Sequence, residues 1–239
     1  MKVQNTTSAA LLGAGILLGL AALGFLLGNA VDKFKGYDRT VTVKGLAERE
    51  VPADIVIWPI QFTTAGNDLT VLYKDIASSS ERIEQFLQNQ GIGKDEITVS
   101  MPGVTDKSAQ QYGGGPRPEF RYTALQTVTV YSKKVDLVRA AMNKLSSLGK
   151  EGIAFSGNSF RGQTEYIFTG LNQIKPQMVE QATNAARQVA QKFAEDSDSV
   201  LGKIKRASQG QFSISDRDKN NPHIKKVRVV STIEYYLSD

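Results

Sequence analysis

Hydrophobic residues recur at helical spacing between Pro176 and Gly202, and this segment predicts a helix that organises the fold. Its apolar face is formed by Met178, Val179, Ala182, Ala185, Ala186, Val189, Ala190, Phe193 and Ala194. Because the middle of this face is almost entirely alanine, the helix can lie close against a neighbouring β-sheet. Pro176 suits a first helical turn, where its missing N–H would have no partner anyway. Gly202 then opens an apolar run that predicts a strand.

Strand and helix patterns alternate along most of the chain. Helices are also predicted over 68–90, with Asn67 or Asp68 as the cap, and over 135–148. Strands are predicted over 40–45, 55–62, 97–101, 120–131, 201–214 and 227–237, and 153–166 is predicted to form either a strand pair or one bent strand. Gly45 suggests a bulge or bend, and Pro59 suggests a strand edge or a bulge.

This order of elements predicts an α+β fold. We expect a mixed, mainly antiparallel sheet that is covered by helices on one face and preceded by a single N-terminal transmembrane helix. Lys225, Lys226 and Arg228 alternate with apolar residues, which is typical of the outer face of a strand.

The N-terminal segment from Ala9 to Leu27 contains nineteen residues without a charge. As a helix it reaches roughly 28 Å, which is nearly the thickness of a hydrocarbon core. The predicted membrane anchor presents Leu11, Leu12, Ile16, Leu17, Leu20, Leu23, Phe25 and Leu26. A cleaved signal peptide is the alternative, because Gly28-Asn29-Ala30 has the small-x-small form of a cleavage site. We favour the anchor, because the run is longer than a usual signal core.

Charge around this segment indicates its orientation only weakly. Lys2 and the terminal amine precede it, whereas 32–39 mixes both signs. We expect a single-pass protein of the inner membrane, with its C-terminal body in the periplasm or outside the cell. The predicted organisation is an anchor over 1–30, a connector over 31–39 and an α+β domain over 40–239.

Composition excludes several kinds of chemistry. The sequence has no cysteine, so disulfides, thiolate catalysis and cysteine metal sites are excluded. His223 is the only histidine, which excludes a histidine-rich metal site, and no EF-hand spacing occurs. The net charge of +5 is modest and spread along the chain, so we expect no nucleic-acid partner. We predict no cofactor and no metal.

Residues 106–119 lack any core pattern and predict an exposed loop. Its centre consists of Tyr112, Gly113, Gly114, Gly115, Pro116 and Arg117. Pro116 stands where a phosphate loop would need a helix N-terminus, and no Lys-Ser/Thr follows, which argues against phosphate binding. We predict instead a subunit interface or a ligand loop.

Several segments resemble bacterial SIMPL-domain proteins. They are 41–54 (VTVKGLAEREVPAD), the alanines at 182, 186 and 190 with Phe193-Ala194, LGKI at 201–204, ASQGQF at 207–212, and VRVVSTIEYY at 227–236. The resemblance extends over about Thr40 to Leu237. It implies an α+β fold, an exported or membrane-anchored envelope protein, large homo-oligomers and a link to envelope or oxidative stress. It supplies no catalytic residues.

Three functions follow as hypotheses. The first is a membrane-anchored protein that assembles into a large homo-oligomer such as a ring, with a structural or stress-related role and no catalysis. The second is a tethered module that binds a peptide, lipid or glycan near Trp58, Tyr112, Phe120 and Tyr122. The third is an enzyme that uses Glu48, Glu50 and Asp54, or His223 in a triad; no G-x-S-x-G elbow occurs. We favour the first, and predict that the protein is not an enzyme.

Overall fold

The structure, a computed structural model, describes residues 3–36, 39–109, 119–156 and 163–238. Its helices are α1 (Val3–Gly36), α2 (Leu69–Asn89), α3 (Val135–Lys144), α4 (Ser146–Lys150) and α5 (Leu171–Asp196), with a 3₁₀ turn at Lys94–Glu96. Its strands are β1 (Thr40–Pro52), β2 (Ile55–Gly66), β3 (Ile97–Val99), β4 (Gly103–Asp106), β5 (Tyr122–Ser132), β6 (Ala154–Phe155), β7 (Glu165–Ile167), β8 (Val200–Gln209), β9 (Ser213–Asp216) and β10 (Ile224–Ser238).

The α+β class is confirmed, but the described strands form two sheets where we predicted one. One sheet has the order β1-β10-β8, with β9 also paired to β10. The other has the order β3-β5-β2-β6, with β4 on β5 and β7 on β2. The chain divides into two compact units. The first comprises Met1–Glu48, Lys175–Ser213 and Arg228–Asp239, and the second comprises Arg49–Ile174 and Ile214–Val227.

In the first unit, the alanine face of α5 packs on a sheet, as predicted, whereas Val189 and Phe193, which were predicted on the same apolar face, are exposed. Ala182, Ala186, Ala190 and Ala194 are buried, and a core cluster joins this face to Val43, Ile233 and Tyr235. Gly45 lies within continuous β1 and permits a close approach of two backbones. A Cβ atom on Gly45 would lie 1.8 Å from the carbonyl oxygen of Ala182 and 2.4 Å from the amide nitrogen of Ala186.

Helix α5 begins earlier than predicted, so that Pro176 lies inside it rather than in its first turn. The start is set by Thr169, whose backbone N–H donates to Asp54 Oδ2 over 2.9 Å and whose hydroxyl donates to the same oxygen over 2.9 Å. These bonds fix the chain immediately before Leu171. Proline at this depth removes one helical hydrogen bond, which the packed alanine face tolerates.

In the second unit, β2 is the central strand and its side chains fill the core. Trp58 is buried in that core, which supports its interpretation as a core aromatic. Pro59 faces Thr129 of β5. On the other side of β2, β7 pairs with Ile55–Ile57 and β6 with Phe62 and Thr63. Among the described strands none therefore pairs with Pro59 on that side, where its missing N–H is tolerated.

Helix α2 covers this core. Leu72, Ile76, Ile83 and Leu87 are buried, whereas Leu69 and Tyr73, which also fit the helical apolar spacing, are exposed. Asp68 is the N-cap, because its Oδ1 accepts from the Val71 N–H over 3.0 Å. Asn67 instead holds the start of β5, where it accepts from the Arg121 N–H over 2.9 Å.

Lys225 differs from its predicted place on an outer strand face. It is buried on the same face of β10 as Val227 and Val229, and its ammonium contacts the Asp216 carboxylate. Strand β9 brings that carboxylate beside β10, which sequence alternation alone did not indicate. A buried lysine is tolerated here because it is paired.

We expect Gly45→Ala to destabilise the protein by about 3 kcal/mol, because the added methyl meets backbone atoms that cannot turn away. Urea unfolding of the full-length chain in detergent, followed by far-UV circular dichroism, measures this. Gly66→Ala is the matched control, because its Cβ would make an ordinary 3.7 Å contact with Leu72. Adding Ala186→Gly to Gly45→Ala should not restore stability. Full recovery in that double variant would contradict a backbone clash.

We expect Asp216→Asn to destabilise the protein by about 2 kcal/mol, because it leaves a buried ammonium without its counter-charge. Lys225→Met should cost less than about 1 kcal/mol, since an apolar chain of similar length suits the buried position. The same unfolding measurement compares them. Equal losses in the two variants would show that packing, and not the ion pair, accounts for the effect.

Candidate self-assembly surface

Strand β8 lies at one edge of the β1-β10-β8 sheet and is exposed along its length. Of its residues only Leu201 is partly covered, and all the others are exposed. Its inner side pairs antiparallel with β10, from Ser231 opposite Gln209 to Ser238 opposite Val200. Within the described ranges no strand pairs with its outer side. The outer backbone groups of β8 are therefore available to another strand.

The pairing of β8 with β10 is irregular near Tyr235. Gly202 lies in this region, and a Cβ there would come within 3.0 Å of the Tyr236 carbonyl oxygen and 3.1 Å of Tyr236 Cβ. Glycine therefore allows the start of β8 to stay close to β10 despite the register shifts. The predicted role of Gly202 as the beginning of a strand is consistent with this position.

A groove of about 540 Å³ runs between the C-terminal half of α5 and the start of β8. Arg187, Gln191 and Glu195 line it from the helix, and Leu201 and Lys203 line it from the strand. A strand added to the outer side of β8 would send every second side chain toward one face of the sheet. The groove could receive such side chains and provide selectivity beyond the backbone hydrogen bonds.

Basic side chains dominate β8, which carries Lys203, Lys205 and Arg206. The Lys205 ammonium lies 3.4 Å from Glu234 of β10. Glu234 in turn accepts from Thr40 of β1, so that one carboxylate links the three strands. The Thr40 hydroxyl, together with Lys205, holds the pKa of Glu234 below its usual range.

Strand β1 forms the opposite edge of the same sheet. Its residues alternate between buried Val43, Gly45 and Ala47 and exposed neighbours, which include Thr42 and Leu46. At the end of this segment, Glu48 Oε1 lies 3.3 Å from Arg228 Nε. The first unit therefore presents two different strand edges, a basic one at β8 and one of mixed charge at β1.

Exposed apolar side chains occur on β8 and on the neighbouring helix α5. Val200 and Ile204 are exposed on β8, and Val189 and Phe193 are exposed on the outer face of α5. A surface pocket of about 420 Å³ adjoins the α5 pair, beside Lys192, which bonds to Asp196 over 2.8 Å. Apolar residues rimmed by charges are typical of protein interaction surfaces.

The predicted anchor residues lie on α1, which is long and apolar enough at Ala9–Leu27 to cross a membrane, with a mean hydropathy of 2.4. Leu11, Leu12, Ile16, Leu17, Leu20, Leu23, Phe25 and Leu26 are all exposed. A signal sequence near the N-terminus can also meet this criterion of length and composition, so the anchor stays a prediction. The predicted loop residues Tyr112, Gly113, Gly114, Gly115, Pro116 and Arg117 lie outside the described residues.

The predicted aromatic cleft does not assemble in the described part of the chain. Trp58 is buried in the core and Tyr122 packs against that core, whereas Phe120 is exposed. Tyr122 also has the Arg121 guanidinium 4.8 Å from its ring centre. A ligand site built on Trp58 is therefore not available without unfolding the core.

Each candidate acid has a structural partner. Glu48 pairs with Arg228, Glu50 lies 3.8 Å from Arg217, and Asp54 binds the Thr169 backbone and hydroxyl. His223 lies beside Tyr166, with ring centres 6.0 Å apart. No group of three metal-ligating side chains occurs among the described residues. The carboxylates thus make strand and turn contacts.

The sequence predicts a strand after Gly202, but it does not predict that this strand lies at the edge of a sheet. A signal was present, because three basic residues within one strand are typical of edge strands. Their meaning depends on which strands pair with β8, and the sequence alone does not specify this.

Comparison with known proteins supports one assignment. Residues 41–231 match the model of a family described as "SIMPL: Protein of unknown function (DUF541)". No curated protein matches the chain. The match includes α5, β8, nearly all of β1 and the first part of β10 as far as Ser231, and β1 and β8 are the strands at the two sheet edges.

Proposed function

The chain belongs to the SIMPL family, and on that premise we propose that it is a membrane-anchored envelope protein that assembles into a homo-oligomer through its sheet edges. The observation that carries this proposal is the exposed outer edge of β8. An exposed strand of this length is a template for pairing with another chain. The proposal assigns it a structural role in the envelope without catalysis, and extracytoplasmic stress is the expected context.

The charge of β8 favours one mode of assembly. A symmetric contact between two β8 strands would bring Lys203, Lys205 and Arg206 close to the same residues of a second copy, and like charges across strands are destabilising. A contact between β8 of one copy and β1 of the next avoids this repulsion. It also joins the sheets of neighbouring copies by backbone hydrogen bonds.

A contact between two different edges is head-to-tail, and it repeats from copy to copy. Such contacts close into a ring when the rotation between copies allows it, and otherwise extend as a filament. The native twist of a sheet rotates each added strand relative to the last, so the joined sheets would not form a flat ribbon, and the rotation between copies decides between a ring and a helical filament.

The N-terminal helix contributes by restricting the protein to a plane. We assign Ala9–Leu27 as a single-pass anchor in the inner membrane, with the N-terminus in the cytoplasm and the body in the periplasm or outside the cell. Lys2 before the helix supports this orientation. Tethering raises the effective concentration of neighbouring copies, so that contacts too weak in solution can hold the assembly.

Cysteine cross-linking tests the head-to-tail contact directly, because the natural chain contains no cysteine. We expect the double variant Thr42→Cys/Ser208→Cys, with one thiol on β1 and one on β8, to form a ladder of covalent oligomers with a short bismaleimide. Denaturing electrophoresis of the full-length protein in native membranes measures the ladder.

The single variants and one matched pair are the controls. Ser208→Cys alone should stay monomeric, whereas efficient dimers would indicate a symmetric β8 contact instead. Thr70→Cys/Ser208→Cys, in which the first thiol lies on α2, should give no ladder. Absence of cross-links from the β1–β8 pair, with both thiols reactive toward a monofunctional maleimide, would refute the proposed contact.

We expect Val200→Asp to dissociate the assembly while the protein stays folded, because it places a charge on an exposed edge position. Val200 is 61% exposed, and Val71 on α2 is 54% exposed, so Val71→Asp is the matched control. Light scattering of the detergent-solubilised protein gives the mass. The natural chain and Val71→Asp should form a discrete large particle. A natural chain that is monomeric at membrane-like density would exclude self-assembly.

A further inference from the structure

The second compact unit contains a polar pocket of about 690 Å³ that the assembly proposal does not use. Arg139, Asn143, Tyr166, Lys219, Asn220 and His223 line it. We call it the His223 pocket. Its size lies within the range of small-molecule sites in proteins.

Three chain segments bring these side chains together. Helix α3 supplies Arg139 and Asn143, which lie four residues apart and therefore on one face of the helix. Strand β7 supplies Tyr166, and the turn between β9 and β10 supplies Lys219, Asn220 and His223. The pocket is thus formed by residues far apart in sequence.

The turn that carries Lys219 and His223 is held in place by Asp218. The Asp218 carboxylate accepts from the backbone N–H groups of Asn220 and Asn221, each over 2.9 Å. It also accepts from Arg217 Nε over 2.9 Å. These bonds lower the pKa of Asp218 to about 2, and the bond from Arg217 has the largest effect. The Asp218 carboxylate therefore stays ionised. The pocket wall is therefore organised before any ligand binds.

His223 is fixed from two sides. Its carbonyl oxygen accepts from the Ala53 N–H over 2.8 Å. Its ring meets Tyr166 edge-on, and the Tyr166 hydroxyl contacts Met142 Sδ at 3.8 Å. Burial raises the pKa of Tyr166, and the neighbouring Arg139 opposes this rise.

Charge in the pocket is positive. Arg139 and Lys219 supply two cations, and the lining acid Asp136 is almost fully exposed and lies 3.6 Å from Arg139, a weak pairing in water. Burial lowers the pKa of His223, and Arg139 and Arg217 lower it further, while Asp136 and Asp218 oppose this. Arg139 and Lys219 outweigh the lining acid Asp136, and the resulting net positive charge attracts an anion.

We infer that the His223 pocket binds a phosphate or carboxylate group of a small molecule. Arg139 offers the planar donor pair that suits either oxyanion, and Lys219 adds a second positive charge. The amides of Asn143 and Asn220 add further donors around the space, whereas the Tyr166 hydroxyl is directed at Met142 Sδ. The apolar side chains of Met142 and Pro222, which also line the pocket, leave room for a non-polar part of the ligand.

The single histidine makes this inference testable without knowledge of the natural ligand. Diethyl pyrocarbonate acylates neutral imidazole, and the product absorbs in the ultraviolet, so the full-length protein reports on His223 alone. A bound anion covers the ring and raises its pKa, and both effects slow the reaction. Inorganic phosphate at ten times its dissociation constant should slow it about tenfold, with sodium chloride at matched ionic strength as reference.

Variants assign the effect to the pocket. Arg139→Gln and Lys219→Gln should each reduce the protection by phosphate to less than about twofold, since each removes a charged contact to the anion. Lys74→Gln, an exposed lysine on α2, should leave the protection unchanged. The ratio of rates with and without phosphate is compared within each variant, which cancels any direct effect of the substitution on His223.

Comparing phosphate with acetate distinguishes a phosphate site from a carboxylate site and also shows whether the pocket binds neither anion. Protection by phosphate but not acetate would identify a phosphate site, and the reverse would identify a carboxylate site. No protection by either anion would overturn the inference, as would protection that persists in both Arg139→Gln and Lys219→Gln. Because acylation reports on one residue in the second unit, the result does not depend on whether the chain assembles.

Discussion

The close approach of α5 to β1 is the constraint on which the first unit depends. At Gly45 the two backbones come so near that even a methyl group has no room. The contact requires glycine on the strand and alanine on the helix, and Ala182 and Ala186 meet that need. Such a small-residue contact fixes the helix tightly in place but buries little apolar area per residue. The unit therefore relies on close packing rather than on large side chains.

This narrow contact also explains why β8 is so exposed. The cluster beneath α5 consists of Val43, Ile233 and Tyr235 on β1 and β10, and from β8 only Leu201 packs against it. Because α5 packs so closely against β1 and β10, it does not extend over β8. The same constraint that stabilises the sheet thus leaves its outer strand uncovered, and a strand uncovered on its faces and its edge gains most from a partner.

Local patterns predicted the elements well, because helical spacing, the Asp68 cap and strand alternation are local properties. The alanine face of α5 even predicted the kind of surface it meets. The failures concern contacts between distant residues. Helix α5 begins before Pro176, next to the bonds between Thr169 and the distant Asp54, and the buried Lys225 is paired with Asp216 of β9. The β8 edge and the His223 pocket were missed for the same reason, since pairing order and loop juxtaposition are tertiary properties.

Both edges of one sheet belong to a single compact unit, and this bears on how assembly would be limited. A protein with one exposed edge can only form pairs, whereas two different edges allow addition without end unless the geometry closes. The three basic residues of β8 work against indiscriminate pairing, because only a partner that avoids like charge would bind. Restriction to a membrane plane lowers the affinity that each contact must supply. The exposed edges of β1 and β8 and the basic charge of β8 therefore fit the proposed head-to-tail assembly, which a membrane anchor would strengthen.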